Sequence, residues 1–92
     1  MHIIATDDEQ SALNVLMGAI REAVSLAIVH GFRNPIEALK FMEENSCDVV
    51  FLDIQMREMS GVVLARKLKE IYPKVNLVFV TGYSQYTNEA FA

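Results

Sequence analysis

The feature that most constrains this chain is the alternation of short apolar runs with longer stretches whose apolar residues recur at three- and four-residue steps. Such alternation is the signature of a mostly parallel sheet with helices packed on its faces. His2-Ile3-Ile4-Ala5-Thr6 reads as a first, buried strand. Leu13, Leu16, Met17, Ile20 and Val24 then place a helix over Glu9 to Ala23 with one apolar face. Ser25 to His30 reads as a second strand. Asp48 to Leu52 reads as a third, nearly continuous in apolar character, as expected when both faces of a strand are covered. Asn76 to Thr81 reads as a fourth, and Ser84 precedes what looks like a further helix through Phe91.

The intervening helices carry their own punctuation. Asn34-Pro35-Ile36-Glu37 is a helix start: Asn caps, Pro sits where its missing N–H costs nothing, and Glu37 is placed to reach back as in a capping box. That helix is expected to run to about Asn45. Ser60 is the expected cap of the next, in which Leu64, Ala65, Leu68 and Ile71 form the inner stripe and Arg66, Lys67, Lys69 and Glu70 the solvated side, with Pro73 as the stop.

Length and charge exclude several classes of function. At 92 residues the chain builds one modest core and no second one, so it reads as a single domain over residues 1–92. Its composition, 52% hydrophobic and 22% charged, excludes a disordered segment. The longest stretch free of Asp, Glu, Lys and Arg, Val75 to Asn88, is broken by Asn, Thr, Gly, Ser and Gln, so no membrane span is expected. The amino terminus meets Asp7, Asp8 and Glu9 almost at once and does not read as a secretory signal, which makes the cytoplasm the expected location. A net charge of −4 argues against direct nucleic-acid binding by this chain. Cys47 stands alone, and with His2 and His30 it cannot assemble a zinc site, so any metal must be held by oxygen. The histidines read as strand-edge residues and Cys47 as a small buried apolar group. Neither a phosphate-binding glycine loop nor a serine-hydrolase elbow occurs.

In an open parallel sheet, ligands sit outside the carboxyl ends of the strands. Asp7 and Asp8 follow the first strand, Asp53 closes the third, and Thr81 and Gly82 follow the fourth. With a strand order of 2-1-3-4, the first and third strands are neighbours and their acids lie about one interstrand spacing, ~5 Å, apart. Carboxylates so placed repel by about 3 kcal/mol per pair at an effective dielectric of ~20, a penalty that a divalent cation removes. Mg2+ suits such a site because it prefers hard oxygens and keeps positions for water or a phosphate. A metal beside Asp53 makes that residue a plausible acceptor of a phosphoryl group, with Thr81 contributing a hydroxyl and Gly82 an accessible backbone. Each acid also has a plainer role open to it: Asp8 as a helix cap, Asp53 as a turn residue, and Thr81 as a β-branched strand residue.

Taken together, Asp7-Asp8, the run Phe51-Leu52-Asp53-Ile54-Gln55-Met56 leading to Met59-Ser60-Gly61, and Val80-Thr81-Gly82 resemble the receiver domains of two-component response regulators. The resemblance implies a flavodoxin-like, doubly wound parallel α/β sheet. It implies that Asp53 accepts a phosphoryl group from a histidine kinase, a phosphotransfer protein or a small phosphodonor, in the manner of a signalling module with at most slow self-dephosphorylation. It further implies that Asp8, Asp53 and the backbone carbonyl of Gln55 hold Mg2+, with Mn2+ as an alternative, and that Asp7 assists through water. Thr81 then contacts the phosphoryl oxygen, and Gln55 and Tyr83 tune the lifetime of the phosphate. The run Thr81-Gly82-Tyr83-Ser84-Gln85-Tyr86 resembles the subgroup whose output is a LytTR-type DNA-binding domain acting in transcription.

Two departures from the family pattern stand out. Arg57 occupies a place where the family usually has proline, which sets a cation near the site. The fifth strand, with its lysine, and the fifth helix that such receivers carry are absent from this chain, leaving the fourth strand as an apolar edge for which self-association is expected. Two other readings compete. One is a degenerate receiver serving only as an interaction or dimerisation module. The other is a phosphatase of the haloacid dehalogenase type, whose motif needs an Asp where this chain has Gln55.

Overall fold

The computed structural model describes residues 1–80, which form four strands and three helices in strict alternation. These are β1 (His2–Thr6), α1 (Gln10–Ala23), β2 (Ile28–Phe32), α2 (Pro35–Glu44), β3 (Val49–Asp53), α3 (Gly61–Ile71) and β4 (Asn76–Val80). The strands make one parallel sheet in the order β2-β1-β3-β4, the doubly wound arrangement expected, with no fifth strand among the described residues. The expected helix from Ser84 lies outside the described residues, as do Thr81, Gly82 and Tyr83.

Strand alternation divides the core in two. Ile3 and Ala5 of β1 point to one face, where Leu13 and Ile20 of α1 cover them together with Val49 and Phe51 of β3. Ile4, Val50 and Leu52 point to the other and pack on Ala38 and Met42 of α2 and Leu64, Ala65 and Leu68 of α3. This two-sided burial explains why β1 and β3 read as unbroken apolar runs. Thr6 is fully buried at the end of β1 and satisfies its hydroxyl by donating to the Phe51 carbonyl at 3.2 Å, which ties β1 to β3 just below the acidic ends.

The second strand lies further along than the sequence pattern suggests. Residues 24–27 form a turn in which the Ala27 N–H donates to the Val24 carbonyl at 3.0 Å, and Leu26 is 90% exposed. Pairing begins only at Ile28, which lies opposite His2, and continues through Gly31 and Phe32. The apolar character of Val24 to Ala27 belongs to a helix exit, and Gly31 belongs inside the strand because it lies beneath the Met17 side chain of α1. His2 and His30 stack at 5.8 Å between centroids, and His30 meets Phe41 at 4.7 Å, so they pack as aromatic surface.

Helix starts follow the sequence closely. Asn34 Oδ1 accepts from the Ile36 N–H at 2.8 Å, and Ser60 Oγ accepts from the Val63 N–H at 3.2 Å. Glu37 stands exposed in the first turn of α2, and the side-chain cap comes from Asn34. Of the expected inner stripe of α3, Ile71 alone is exposed, at the last position of the helix. Cys47 is half-buried against the core, and burial pushes its thiol up to about 11, so it is a packing group at neutral pH.

Candidate functional site

The register of β1 on β3 assembles the site. Thr6 pairs with Leu52, so the chain that leaves β1 at Asp7 emerges beside Asp53. Asp7, Asp8 and Asp53 each offer a carboxylate oxygen, and these oxygens lie within 4.8 Å of one another. Asp7 also accepts from the Glu9 N–H at 3.0 Å, the bond that starts the turn into α1. Asp8 does not cap that helix, whose N-cap residue is Glu9. Its carboxylate points instead across to the β3–α3 loop, where Oδ2 accepts from the Arg57 backbone N at 3.2 Å and Nε at 3.3 Å.

Asp53 is 8% exposed, and its Oδ1 is buried without a hydrogen-bond partner. Desolvation, reinforced by the charge of Asp7 and less by that of Asp8, raises its pKa to about 6, against the backbone N–H groups of Gln55 and Ile54, which favour the charged form. Burial likewise raises Asp7 above the usual carboxylate range, with Asp8 and Glu9 adding to the effect and the Glu9 N–H opposing it. Three carboxylates that each offer a hard oxygen, Asp53 among them with its orphaned buried Oδ1, fit a dication such as Mg2+ and offer nothing to a soft metal. Gln55 follows as an exposed loop residue two positions beyond Asp53.

Gly61 is a contributor whose role the sequence does not make evident. Its N–H donates to the Ile54 carbonyl at 2.8 Å, and a Cβ on it would run into the Asp53 carbonyl oxygen. The first residue of α3 thus lies directly against the backbone of the site. The visible signal is a glycine immediately after the Ser60 cap, a place where helix propensity alone gives no reason for one. A cleft of about 490 Å³ between Cys47, Tyr72 and Asn76 lies at the amino-terminal end of β4. That end of a parallel sheet is not where the acids converge.

Comparison with known proteins places this geometry in context. The model of the response regulator receiver domain family matches residues 3–92. The transcriptional regulatory protein YpdB of Escherichia coli is 34% identical over 91 residues, covering 99% of this chain and 37% of its own length. Protein MrkE of Klebsiella pneumoniae is 33% identical over 91 residues, covering 99% of this chain and 34% of its own. The chain therefore spans little more than a third of these curated relatives. Among solved structures, the response regulator TrrA of Thermotoga maritima, in complex with Mg2+ and BeF, superposes with a TM-score of 0.83 at 27% identity over 96% of this chain and 75% of its own. The response regulatory domain of Klebsiella pneumoniae mrkE gives a TM-score of 0.77 at 30% identity over 99% of this chain and 75% of its own.

Proposed function

Because this chain belongs to the response regulator receiver domain family, whose members act as phosphoacceptors in two-component signalling, we propose that Asp53 is its phosphoacceptor. Asp8, Asp53 and the backbone carbonyl of Gln55 hold Mg2+ in this reading, and Asp7 acts through a water. One observation carries it: Asp53 is a nearly buried carboxylate with an orphaned oxygen, drawn together with two other acids that follow a separate strand. A group with no other task rarely keeps so unfavourable a position.

At pH 7 Asp53, with a pKa of about 6, is mostly ionised, and its carboxylate is the nucleophilic form. One of its oxygens forms a new P–O bond as the bond from phosphorus to the donor breaks. The electron pair leaves with the donor, an imidazole nitrogen of a histidine kinase or phosphotransfer protein or the acyl oxygen of a small phosphodonor. When bound, Mg2+ supplies neutralising charge for the phosphoryl oxygens and the acids beneath them. Thr81 contacts the phosphoryl group through its hydroxyl and Gly82 through its backbone, while Gln55 and Tyr83 set how readily water reaches the acyl phosphate. Hydrolysis is then slow self-dephosphorylation and not enzymatic turnover. The partner is a cytoplasmic phosphodonor, and the output is transcription through a separate domain, the role named for YpdB.

Incubation with a small phosphodonor and Mg2+, read by intact mass, is expected to add one phosphoryl group, which does not form when the metal is chelated beforehand and is absent in Asp53→Asn. An adduct that persists in that variant refutes the assignment. If no adduct forms on the wild-type chain, the interaction-module reading takes its place. The exposed β4 edge favours that reading, and we expect it to support self-association in either case.

A further inference from the structure

Asp8 is gripped from two loops at once. From the β3–α3 loop, Arg57 brings two N–H groups to the same oxygen, Oδ2, one from its backbone and one from its side chain. Across the cleft, Arg33 donates to the Asp8 main-chain carbonyl from Nε at 3.4 Å and Nη2 at 3.3 Å. With Asn34 and Glu58 these residues line a cleft of about 190 Å³ at the mouth of the acidic cluster. Among the described residues, Arg57–Asp8 is the one ion pair.

We propose that Arg57 is a substitute cation for the metal: it holds Asp8 Oδ2 when no divalent ion is bound and releases it when one arrives, so that ion pair and metal are alternatives at Asp8. This rests on the reading of Asp8 as a metal ligand. Arg57 is a positioning residue here, acting through Asp8 and not on the phosphoryl group.

Exposure distinguishes the mobile partner from the fixed one. The Arg57 side chain is 79% exposed and that of Asp8 18%, so it is the arginine that can swing into solvent without disturbing packing. A guanidinium and a dication at one carboxylate repel, while each alone offsets the crowding of three acids. Linkage fixes the sign: whatever the ion pair contributes to the metal-free chain is subtracted from metal binding. The arrangement is also particular to an arginine at this place. A proline at this place would have neither a guanidinium nor a backbone N–H to give.

The test is Mg2+ titration by calorimetry of the wild-type chain, Arg57→Gln, Arg57→Lys, Asp8→Asn and Asp53→Asn, at low and at high ionic strength. Arg57→Gln is expected to bind Mg2+ about three- to tenfold more tightly than wild type at low salt, with the gain shrinking as salt screens the pair. Arg57→Lys keeps the charge but not the Nε donor and is expected between the two. Without metal, Arg57→Gln is expected to melt below wild type, and saturating Mg2+ is expected to abolish that difference. Wild-type binding that is lost in Asp8→Asn and Asp53→Asn but unchanged or weakened in Arg57→Gln overturns the proposal and leaves the metal site standing. Absence of wild-type binding, or binding indifferent to Asp8→Asn and Asp53→Asn, overturns the metal site itself and the proposal with it.

Discussion

At the scale of single residues, Asp53 carries a pH dependence opposite to that of an ordinary salt-bridged acid. Its pKa lies at about 6 in the folded chain against an ordinary 3.8. Between those values the folded state keeps a proton that the unfolded state has lost. The stabilisation is therefore full below about pH 4 and disappears as pH rises through 6. With solvent screening taken into account, roughly 1–2 kcal/mol is at stake for the metal-free chain. Asp53→Asn is expected to raise the metal-free Tm by several degrees at pH 7.5 and to leave it unchanged near pH 4, as followed by circular dichroism. An equal Tm at pH 7.5 would contradict the burial of that charge. Saturating Mg2+ is expected to reverse the order, because the wild-type chain alone gains from binding. The three acids were legible in the sequence because each follows an apolar run, and strand ends are where a parallel sheet gathers polar groups. Arg57 was legible only as a cation near the site; its pairing with Asp8, and the reach of Arg33, were not, since both come from loops whose paths no periodicity encodes. Between the two roles open to Asp8, cap and site, the distinction came from its neighbour: Asp7 takes the Glu9 N–H, which leaves the Asp8 carboxylate to face the loop.

At the scale of elements, α3 shows how tightly a helix start can be bound to chemistry. On propensity alone, Gly61→Ala would stabilise α3 by up to about 1 kcal/mol. The close approach of Gly61 to the Asp53 carbonyl reverses that sign, because an added methyl must push the helix off the strand end. A loss of about 1–3 kcal/mol in urea unfolding is expected, with Mg2+ affinity falling alongside. A neutral or stabilising result would show that the contact is loose. Capping chemistry made α2 and α3 readable to within a residue, since Asn34 and Ser60 are local signals with local geometry. The α1–β2 junction was harder. Leu26 and Ala27 look like strand, yet the strand can begin only where Ile28 comes level with His2, and that constraint belongs to pairing between distant segments.

At the scale of the whole molecule, β2 and β4 are the two edge strands of the sheet among the described residues. Val78, Phe79 and Val80 are 39%, 47% and 37% exposed, so both faces of β4 as well as its outer edge remain open among the described residues. Apolar strands of this kind recruit a neighbour. The sedimentation-average mass is expected to rise with concentration across the tens-of-micromolar range, and Phe79→Lys is expected to suppress that rise. A wild-type chain that stays monomeric throughout would contradict it. The central burial of β1 and β3 could be read from the chain because such strands advertise themselves as unbroken apolar runs, whereas the full order 2-1-3-4 came with the family resemblance and nothing local announces what lies against an outer strand. The pairing of Thr6 with Leu52 has a wider meaning, because it brings the acids of the site together from opposite halves of the polypeptide. An ion caught between them works as a removable staple across the seam. Its capture reports that the two halves have met, and the event that prepares the carboxylate for reaction also locks the architecture that presents it.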